Sequence, residues 1–188
     1  MSDQPTVIDR FLARTLLRCI PYRITPNQVT MVRFFTTPIV LYLLLVEEYH
    51  WGLLAFLLVA LTDAIDGALA RTRNQITDWG KLYDPLADKL LIGSVVFAVV
   101  VRELDVLLGL SIITIEVVII GLAWYGRAHG RVVQANAWGK VKMWLEVIGV
   151  ALLLLGLAFG VPEVFPISQA SFVLAIIFAL VSLVTYGI

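Results

Sequence analysis

Long apolar runs constrain the fold of this sequence more than any other feature. Hydrophobic residues make up 60% of its 188 residues, and the mean hydropathy is +0.93. A helix needs about 20 apolar residues to cross the hydrocarbon core of a bilayer, and runs of this kind recur along the chain. We therefore expect an all-α integral membrane protein with six transmembrane helices. The expected spans are residues 29–46, 51–70, 86–101, 106–124, 138–159 and 165–186.

The segment before the first span has a different pattern. Within residues 5–20, apolar side chains fall on one helical face, whereas Arg10, Arg14 and Arg18 recur every four residues on another. This pattern is typical of an amphipathic helix that lies in the lipid headgroup region. We interpret residues 1–188 as a single membrane domain, in which this interfacial helix precedes a six-helix bundle at residues 27–188.

The distribution of basic residues predicts the orientation of the bundle. Cytoplasmic loops of membrane proteins carry an excess of Lys and Arg. Here the basic residues collect before and at the start of the first span and in the connections that follow the second and fourth spans, and only Arg102 falls on the other side. We therefore expect a multi-pass protein of the cell (inner) membrane, with both termini cytoplasmic.

Four aspartates join the second and third spans. Asp63 and Asp66 are three residues apart, and Asp84 and Asp88 are four apart, so each pair lies on one helical face. An ionised aspartate in the middle of a bilayer helix costs about 2.5 to 3.5 kcal/mol on insertion scales, which calls for a compensating charge. Because the segment offers carboxylates but no His or Cys, it suits hard divalent cations. We expect Mg²⁺ or Mn²⁺, with two ions clamping a phosphoryl group.

Small and basic residues in the same segment suit a nucleotide. Gly67 and Gly80 allow a flat ring or a phosphate to approach the backbone, and Arg71 offers a planar fork of donors for phosphate oxygens. Together with the aspartates, these residues predict a binding site for a nucleotide diphosphate.

The spacing of these residues resembles the signature of the CDP-alcohol phosphatidyltransferase family. The matching positions are Asp63, Asp66, Gly67, Ala70, Arg71, Gly80, Asp84 and Asp88. The resemblance implies six membrane helices after a juxtamembrane amphipathic helix, a cytoplasmic active site and a homodimer. It also implies that an acceptor hydroxyl attacks a CDP-lipid, such as CDP-diacylglycerol, and releases CMP.

The resemblance further implies a role for each motif residue. The four aspartates would hold the metal, and Asp88 would also be the general base. The nucleotide would be framed by Gly67, Ala70, Arg71 and Gly80.

Two further segments predict the acceptor alcohol. Residues 84–91 and 139–142 resemble the phosphatidylglycerophosphate synthase branch, whose small phosphorylated acceptor is glycerol 3-phosphate. Such an acceptor needs cations, and the basic residues between the fourth and fifth spans lie on the expected side of the membrane: Arg127, Arg131, Lys140 and Lys142. Two positions depart from that branch, since Ile115 stands where Arg is common and Met143 where Thr is common.

Several alternatives stay open at this point. A eukaryotic-type cardiolipin synthase would use phosphatidylglycerol as acceptor, and a phosphatidylinositol phosphate synthase is disfavoured because Lys89 stands where that branch has Arg. A divalent-cation transporter would place acidic residues at several depths, whereas the deep aspartates of this chain cluster at one face. Glu116 and Glu146 interrupt apolar runs and are either site residues or structural partners within the bundle. No nucleic-acid partner is expected.

Overall fold

A computed structural model describes Leu17, Pro21 and residues 24–73, 78–129 and 137–185, although the side chains of Ala64, of residues 78–85, of Arg127 and of Ala128 are outside this description. The described residues form helices and no strand. We number the helices α1 (Pro26–Leu45), α2 (Tyr49–Thr72), α3 (Asp78–Val95), α4 (Val106–Ala128), α5 (Ala137–Phe159) and α6 (Phe165–Thr185). A π-helical turn (Val96–Val100) and a last turn (Val101–Glu103) continue α3, and a 3₁₀ turn (Pro162–Val164) precedes α6.

Most of the expected spans coincide with these helices. Five stretches are long and apolar enough to cross a membrane, namely α1, α2, α4 up to Gly126, α5, and α6 with its preceding 3₁₀ turn. The all-α membrane architecture is therefore confirmed. The third expected span, residues 86–101, belongs to α3 and its continuation, which does not reach the same hydropathy because the first half of α3 carries the charged motif.

The second half of α3 packs into the core of the bundle. Its second half and the π-helical turn contribute fully buried side chains such as Leu91, Val95 and Val96 to the main core. α3 contacts α1, α2, α4 and α5. It therefore lies among the other helices, and its motif residue Asp88 is partly buried there.

The most extensive packing joins α5 to α6 and α1 to α2, and the centre of the bundle is filled by residues such as Phe56 and Phe172. Two glycines of α5 make the first of these contacts possible. A Cβ atom on Gly149 would lie 3.0 Å from the ring of Phe172, and one on Gly156 would collide with Phe165. Both glycines therefore serve packing within the bundle, where small residues let membrane helices approach closely.

The outer surface is apolar. Phe35, Leu107 and Trp124 are among the many large hydrophobic side chains that stay exposed on the helices. A soluble monomer rarely exposes apolar surface on this scale. The exposed faces instead match a lipid environment, so the chain is a membrane protein.

One end of the bundle, which we call the Glu47 end, is held by exposed polar contacts. It contains the α1–α2 connection and the end of the α3 continuation, where Arg102 pairs with Glu47 and with Glu103. Tyr49 donates a hydrogen bond to the same Glu103 carboxylate at 3.0 Å. The hydrogen bond to Glu47 raises the pKa of the Arg102 guanidinium above its usual value.

The expected interfacial helix at residues 5–20 lies outside the described residues apart from Leu17. Leu17 is buried against Ala68 and Leu69 of α2. Arg73, directly after α2, donates hydrogen bonds to the carbonyls of Pro21 at 3.3 Å and Ile24 at 3.4 Å. The described part of the N-terminal segment is thus attached to the end of α2.

Candidate active site

A buried arginine joins α1 to the first two motif aspartates. Arg33 is fully buried; its Nη1 lies 3.0 Å from Asp63 Oδ1, and its Nη2 lies 2.6 Å from Asp66 Oδ2. Its Nε donates to Thr62 Oγ1 at 3.3 Å. The three-residue spacing thus places Asp63 and Asp66 on one face of α2, and that face is turned toward α1.

Asp66 is the more deeply placed of the two carboxylates. It is 2% exposed, whereas the Asp63 side chain is 31% exposed. Thr30, one turn before Arg33 on α1, donates a second hydrogen bond to Asp66 Oδ2 at 3.3 Å. This difference in exposure leaves Asp63 as the carboxylate of the pair that a solute can reach.

A third aspartate approaches from α3. Asp88 is partly buried, and its carboxylate lies within electrostatic range of Asp63 and Arg33. Asp84 lies one turn earlier on the same helix, but its side chain is outside the described part of the structure. The structure therefore places Asp88 of α3 within electrostatic range of Asp63 of α2, which shares the Arg33 guanidinium with Asp66.

The donor set of this site fits a hard divalent cation, since it consists of carboxylate oxygens. Among the described residues, no three acidic, His or Cys side chains are already arranged around a common metal position. Arg33 instead compensates the charge of Asp63 and Asp66. The metal site expected from the sequence stays a prediction that also involves Asp84.

Three of the four expected nucleotide residues lie in the last two turns of α2, next to the aspartates. A Cβ atom on Gly67 would lie 3.0 Å from Nη2 of Arg71, so the Arg71 guanidinium lies back over the Gly67 backbone. Ala70 is partly buried beside them. Gly80 is in the first turn of α3. The bare backbone of Gly67 is thus what allows Arg71 to adopt this position.

A second group of charges, which we call the Lys142 cluster, consists of Lys89, Glu116, Lys142 and Glu146. Lys142 is buried and pairs with Glu116 of α4, and its Nζ lies 3.2 Å from Glu146 Oε1. Lys89 Nζ of α3 is 3.9 Å from Glu116 Oε2. Glu116 and Glu146 therefore both have lysine partners within the bundle.

The two lysines of the Lys142 cluster interact electrostatically with the aspartate site. Both Lys89 and Lys142 lie within electrostatic range of Asp88. Of the other expected acceptor residues, Lys140 is exposed at the start of α5, Arg127 is in the last turn of α4, and Arg131 lies outside the described residues. Binding of an acceptor by these four residues stays a prediction.

An apolar groove lies between α1 and α3 beside the site. Its lining is Phe34, Thr37, Pro38 and Leu41 of α1 and Leu90 and Ser94 of α3. Phe34 directly follows Arg33 in sequence, and Leu90 comes two residues after Asp88.

The sequence had indicated Arg33 only as part of the basic bias that orients the bundle. A signal for its second role was nevertheless present, because an ionisable residue within an apolar span needs a partner inside the protein. What the sequence did not provide was the identity of that partner, which depends on how α1 packs against α2.

Comparison with known proteins assigns the chain to a family. The family model for CDP-alcohol phosphatidyltransferase matches residues 23–185. The chain belongs to the CDP-alcohol phosphatidyltransferase family. The resemblance read from the aspartate motif is thereby confirmed, and so is the expectation of an enzyme, since CDP-alcohol phosphatidyltransferases are transferases.

Individual relatives within the CDP-alcohol phosphatidyltransferase family are similar to this chain over more than two thirds of its length. A CDP-diacylglycerol–glycerol-3-phosphate 3-phosphatidyltransferase of Bacillus subtilis (strain 168) is 34% identical over 175 residues, which cover 84% of this chain and 90% of that protein. A relative of the same description from Rickettsia felis is 32% identical over 135 residues, covering 70% of this chain and 75% of that protein. A CMP-forming cardiolipin synthase of Streptomyces coelicolor is 35% identical over 138 residues, covering 69% of this chain and 64% of that protein.

A solved structure has a similar fold. The crystal structure of Mycobacterium tuberculosis phosphatidylinositol phosphate synthase with CDP-DAG bound aligns with a TM-score of 0.62 at 21% sequence identity, over 95% of this chain and 90% of that chain. At this identity the likeness supports the shared helical architecture.

Proposed function

We propose that this enzyme transfers a phosphatidyl group from CDP-diacylglycerol to glycerol 3-phosphate, giving phosphatidylglycerophosphate and CMP. The observation that carries the proposal is that Arg33 joins Asp63 and Asp66 within electrostatic range of Asp88, in a chain that belongs to a family of phosphatidyltransferases. The acceptor follows the relatives from Bacillus subtilis and Rickettsia felis, whose names specify glycerol 3-phosphate.

In the proposed reaction, the acceptor hydroxyl attacks the lipid-linked phosphorus. The bond between that phosphorus and the bridging oxygen of the diphosphate breaks, and CMP leaves with the electron pair. Asp88 accepts the proton of the attacking hydroxyl. Arg71 binds oxygens of the nucleotide diphosphate. Gly67 has no side chain and therefore leaves room for the Arg71 guanidinium.

The four motif aspartates would hold the divalent cations, Mg²⁺ or Mn²⁺. When bound, such ions neutralise the diphosphate and the leaving group. The remaining nucleotide contacts would come from Ala70 and Gly80. The apolar groove between α1 and α3 has the composition to take a lipid chain of the donor.

A phosphorylated acceptor would be bound by the basic residues near the start of α5. Lys140 is exposed there, and Lys142 lies within electrostatic range of Asp88. Arg127 and Arg131 complete the proposed set. The two glutamates of the Lys142 cluster would hold its lysines at this position.

We also propose an inner-membrane location with the active site and both termini on the cytoplasmic side, and a homodimer. The orientation is supported by the concentration of basic residues around the aspartate site, in contrast to Arg102 alone at the Glu47 end. The homodimer rests on family resemblance.

The decisive test of the reaction is CMP release by the purified protein in detergent. The assay contains CDP-diacylglycerol, Mg²⁺ or Mn²⁺, and one acceptor at a time: glycerol 3-phosphate, phosphatidylglycerol, inositol phosphate or none. We expect metal-dependent release with glycerol 3-phosphate and at least a 100-fold lower rate in Asp88→Asn, because a general base contributes about 10² to 10⁴ in rate.

The matched control is Asp105→Asn. Asp105 caps α4 at the Glu47 end by accepting a hydrogen bond from the Leu108 N–H at 2.7 Å, and Asn retains this capping ability. This variant should keep the wild-type rate. Release only with phosphatidylglycerol would instead support a cardiolipin synthase, the second candidate suggested by the Streptomyces coelicolor relative. No release with any acceptor would contradict the proposal.

A further inference from the structure

We propose that Arg33 is a positioning residue of the aspartate site, which holds Asp63 and Asp66 in place and compensates their charge when no divalent cation is bound. The inference rests on the proposed function for the metal. It assigns to a residue outside the family signature a defined effect on metal affinity and turnover.

Arg33 lies deep in the bundle. Its side chain is fully buried within the bundle, and a buried guanidinium is strongly unfavourable unless it is paired and hydrogen-bonded. Its three nitrogens all contact α2, at Thr62, Asp63 and Asp66. The arginine is therefore committed to the aspartates rather than to solvent or to lipid headgroups.

The contacts of Arg33 with α2 also have a defined geometry. One planar guanidinium spans Asp63 and Asp66, which lie one turn apart, so it fixes both carboxylates at once. The Thr62 hydroxyl accepts a hydrogen bond from Nε of Arg33 and donates one to the Val59 carbonyl at 2.6 Å. The bond to Val59 fixes the hydroxyl, which in turn orients the guanidinium. A lysine at position 33 would supply the charge without this fork.

The positive charge of Arg33 bears on metal binding. Arg33 also lies within electrostatic range of Asp88 on α3, so one cation of α1 faces three motif aspartates. A divalent cation is attracted by the same carboxylates. The guanidinium therefore opposes metal binding by electrostatic repulsion, while it keeps the ligands oriented for the metal when it arrives.

The experiment compares Arg33→Gln and Arg33→Lys with wild type and with Arg102→Gln. Arg102 is a suitable control because it also bridges two carboxylates, Glu47 and Glu103, but is exposed and remote from the aspartate site. The readouts are the Mn²⁺ dissociation constant by electron paramagnetic resonance, the thermal unfolding midpoint in EDTA and in saturating Mn²⁺, and the kcat for CMP release.

We expect Arg33→Gln to bind Mn²⁺ at least tenfold more tightly than wild type, because the opposing charge is removed. Its midpoint in EDTA should fall, saturating Mn²⁺ should restore most of that loss, and kcat should fall at least tenfold. Arg33→Lys should have a Mn²⁺ affinity within threefold of wild type but a reduced kcat, since charge is kept and the fork is lost. Arg102→Gln should match wild type in metal affinity and kcat.

A purely structural ion pair would lower the midpoint of Arg33→Gln equally in EDTA and in Mn²⁺, with an unchanged dissociation constant, and that result would overturn the inference. If Arg33→Gln does not fold, a wild-type kcat in Arg33→Lys would overturn it too. Failure of the proposed function gives a different result, because wild type itself would then bind no Mn²⁺ or release no CMP.

Discussion

At Asp66, a single carboxylate oxygen accepts hydrogen bonds from Arg33 at 2.6 Å and from Thr30 at 3.3 Å. Both donors come from α1, although the family motif lies entirely on α2 and α3. The chemistry of the site therefore depends on residues that the motif does not include. Removing either donor would leave a buried carboxylate with less compensation, which is costly in an apolar interior.

Gly67→Ala should separate nucleotide binding from folding. The new Cβ would meet Nη2 of Arg71 at 3.0 Å, so the guanidinium must move. Because this is the far end of a flexible side chain, and because Ala favours helix, we expect a change in the free energy of unfolding below about 1 kcal/mol. The KM for CDP-diacylglycerol should rise several-fold.

The measurements are steady-state kinetics of CMP release and thermal unfolding in detergent. Gly93→Ala provides the control, because a Cβ atom at Gly93 would have no heavy atom within 4 Å. An unchanged KM in Gly67→Ala would show that the position of Arg71 does not matter for the donor.

The sequence predicted the motif side chains but not their partners. Charge and spacing identify Asp63, Asp66 and Asp88 because every intramembrane carboxylate requires compensation. The spacing of four residues on α5 allows Lys142 to pair with Glu146, whereas its pairing with Glu116 joins α4 to α5 and could not be identified from spacing. Ion pairs between helices depend on their relative rotation, which one sequence does not specify.

Among the elements, α3 differs most from a simple transmembrane helix. Its first half carries the charged motif and its second half is buried in the core. Hydropathy alone therefore does not identify α3 as a transmembrane helix. The expected boundaries of the other spans agree with the structure to within a few residues, because long apolar runs give a strong and local signal. Packing between helices, in contrast, depends on small residues whose neighbours lie far away in sequence.

Gly149→Ala should destabilise the contact between α5 and α6. The added Cβ would lie 3.0 Å from Cε1 and Cζ of Phe172, whose ring is fully buried and has little room to move. Overpacking of this kind typically costs about 1 to 3 kcal/mol. We expect a lower thermal unfolding midpoint in detergent.

Gly121→Ala is the matched control within α4. A Cβ atom at Gly121 would have no heavy atom within 4 Å, so the higher helix propensity of Ala should leave the midpoint unchanged or raise it. Equal midpoints for the two variants would show that the α5–α6 contact adapts to an extra methyl group.

At the scale of the whole molecule, the polar groups divide into two sets of different character. At the Glu47 end, the ion pairs of Arg102 are exposed, and exposed pairs of this kind contribute little to stability. In the other half, Arg33 and Lys142 are buried, and so are their carboxylate partners Asp66, Glu116 and Glu146. The buried set therefore lies in the half of the bundle that carries the proposed active site.

Labelling of single cysteines tests the proposed orientation. In a Cys19→Ser background, Glu163→Cys should react with a membrane-impermeant maleimide in intact spheroplasts, whereas His129→Cys should react only in inverted vesicles. Both positions are exposed, and they lie at opposite ends of α5 in sequence. A permeant maleimide controls for reactivity, and the reverse pattern would contradict the orientation.

The hydrogen bonds of Arg73 have a consequence for biosynthesis. They join Arg73 to the carbonyls of Pro21 and Ile24, which are 52 and 49 residues earlier in the chain. The N-terminal segment therefore cannot reach its final position until α1 and α2 have both left the ribosome. Until then, its backbone carbonyls remain available to water and lipid headgroups, and its attachment reports that the first helical hairpin has been inserted.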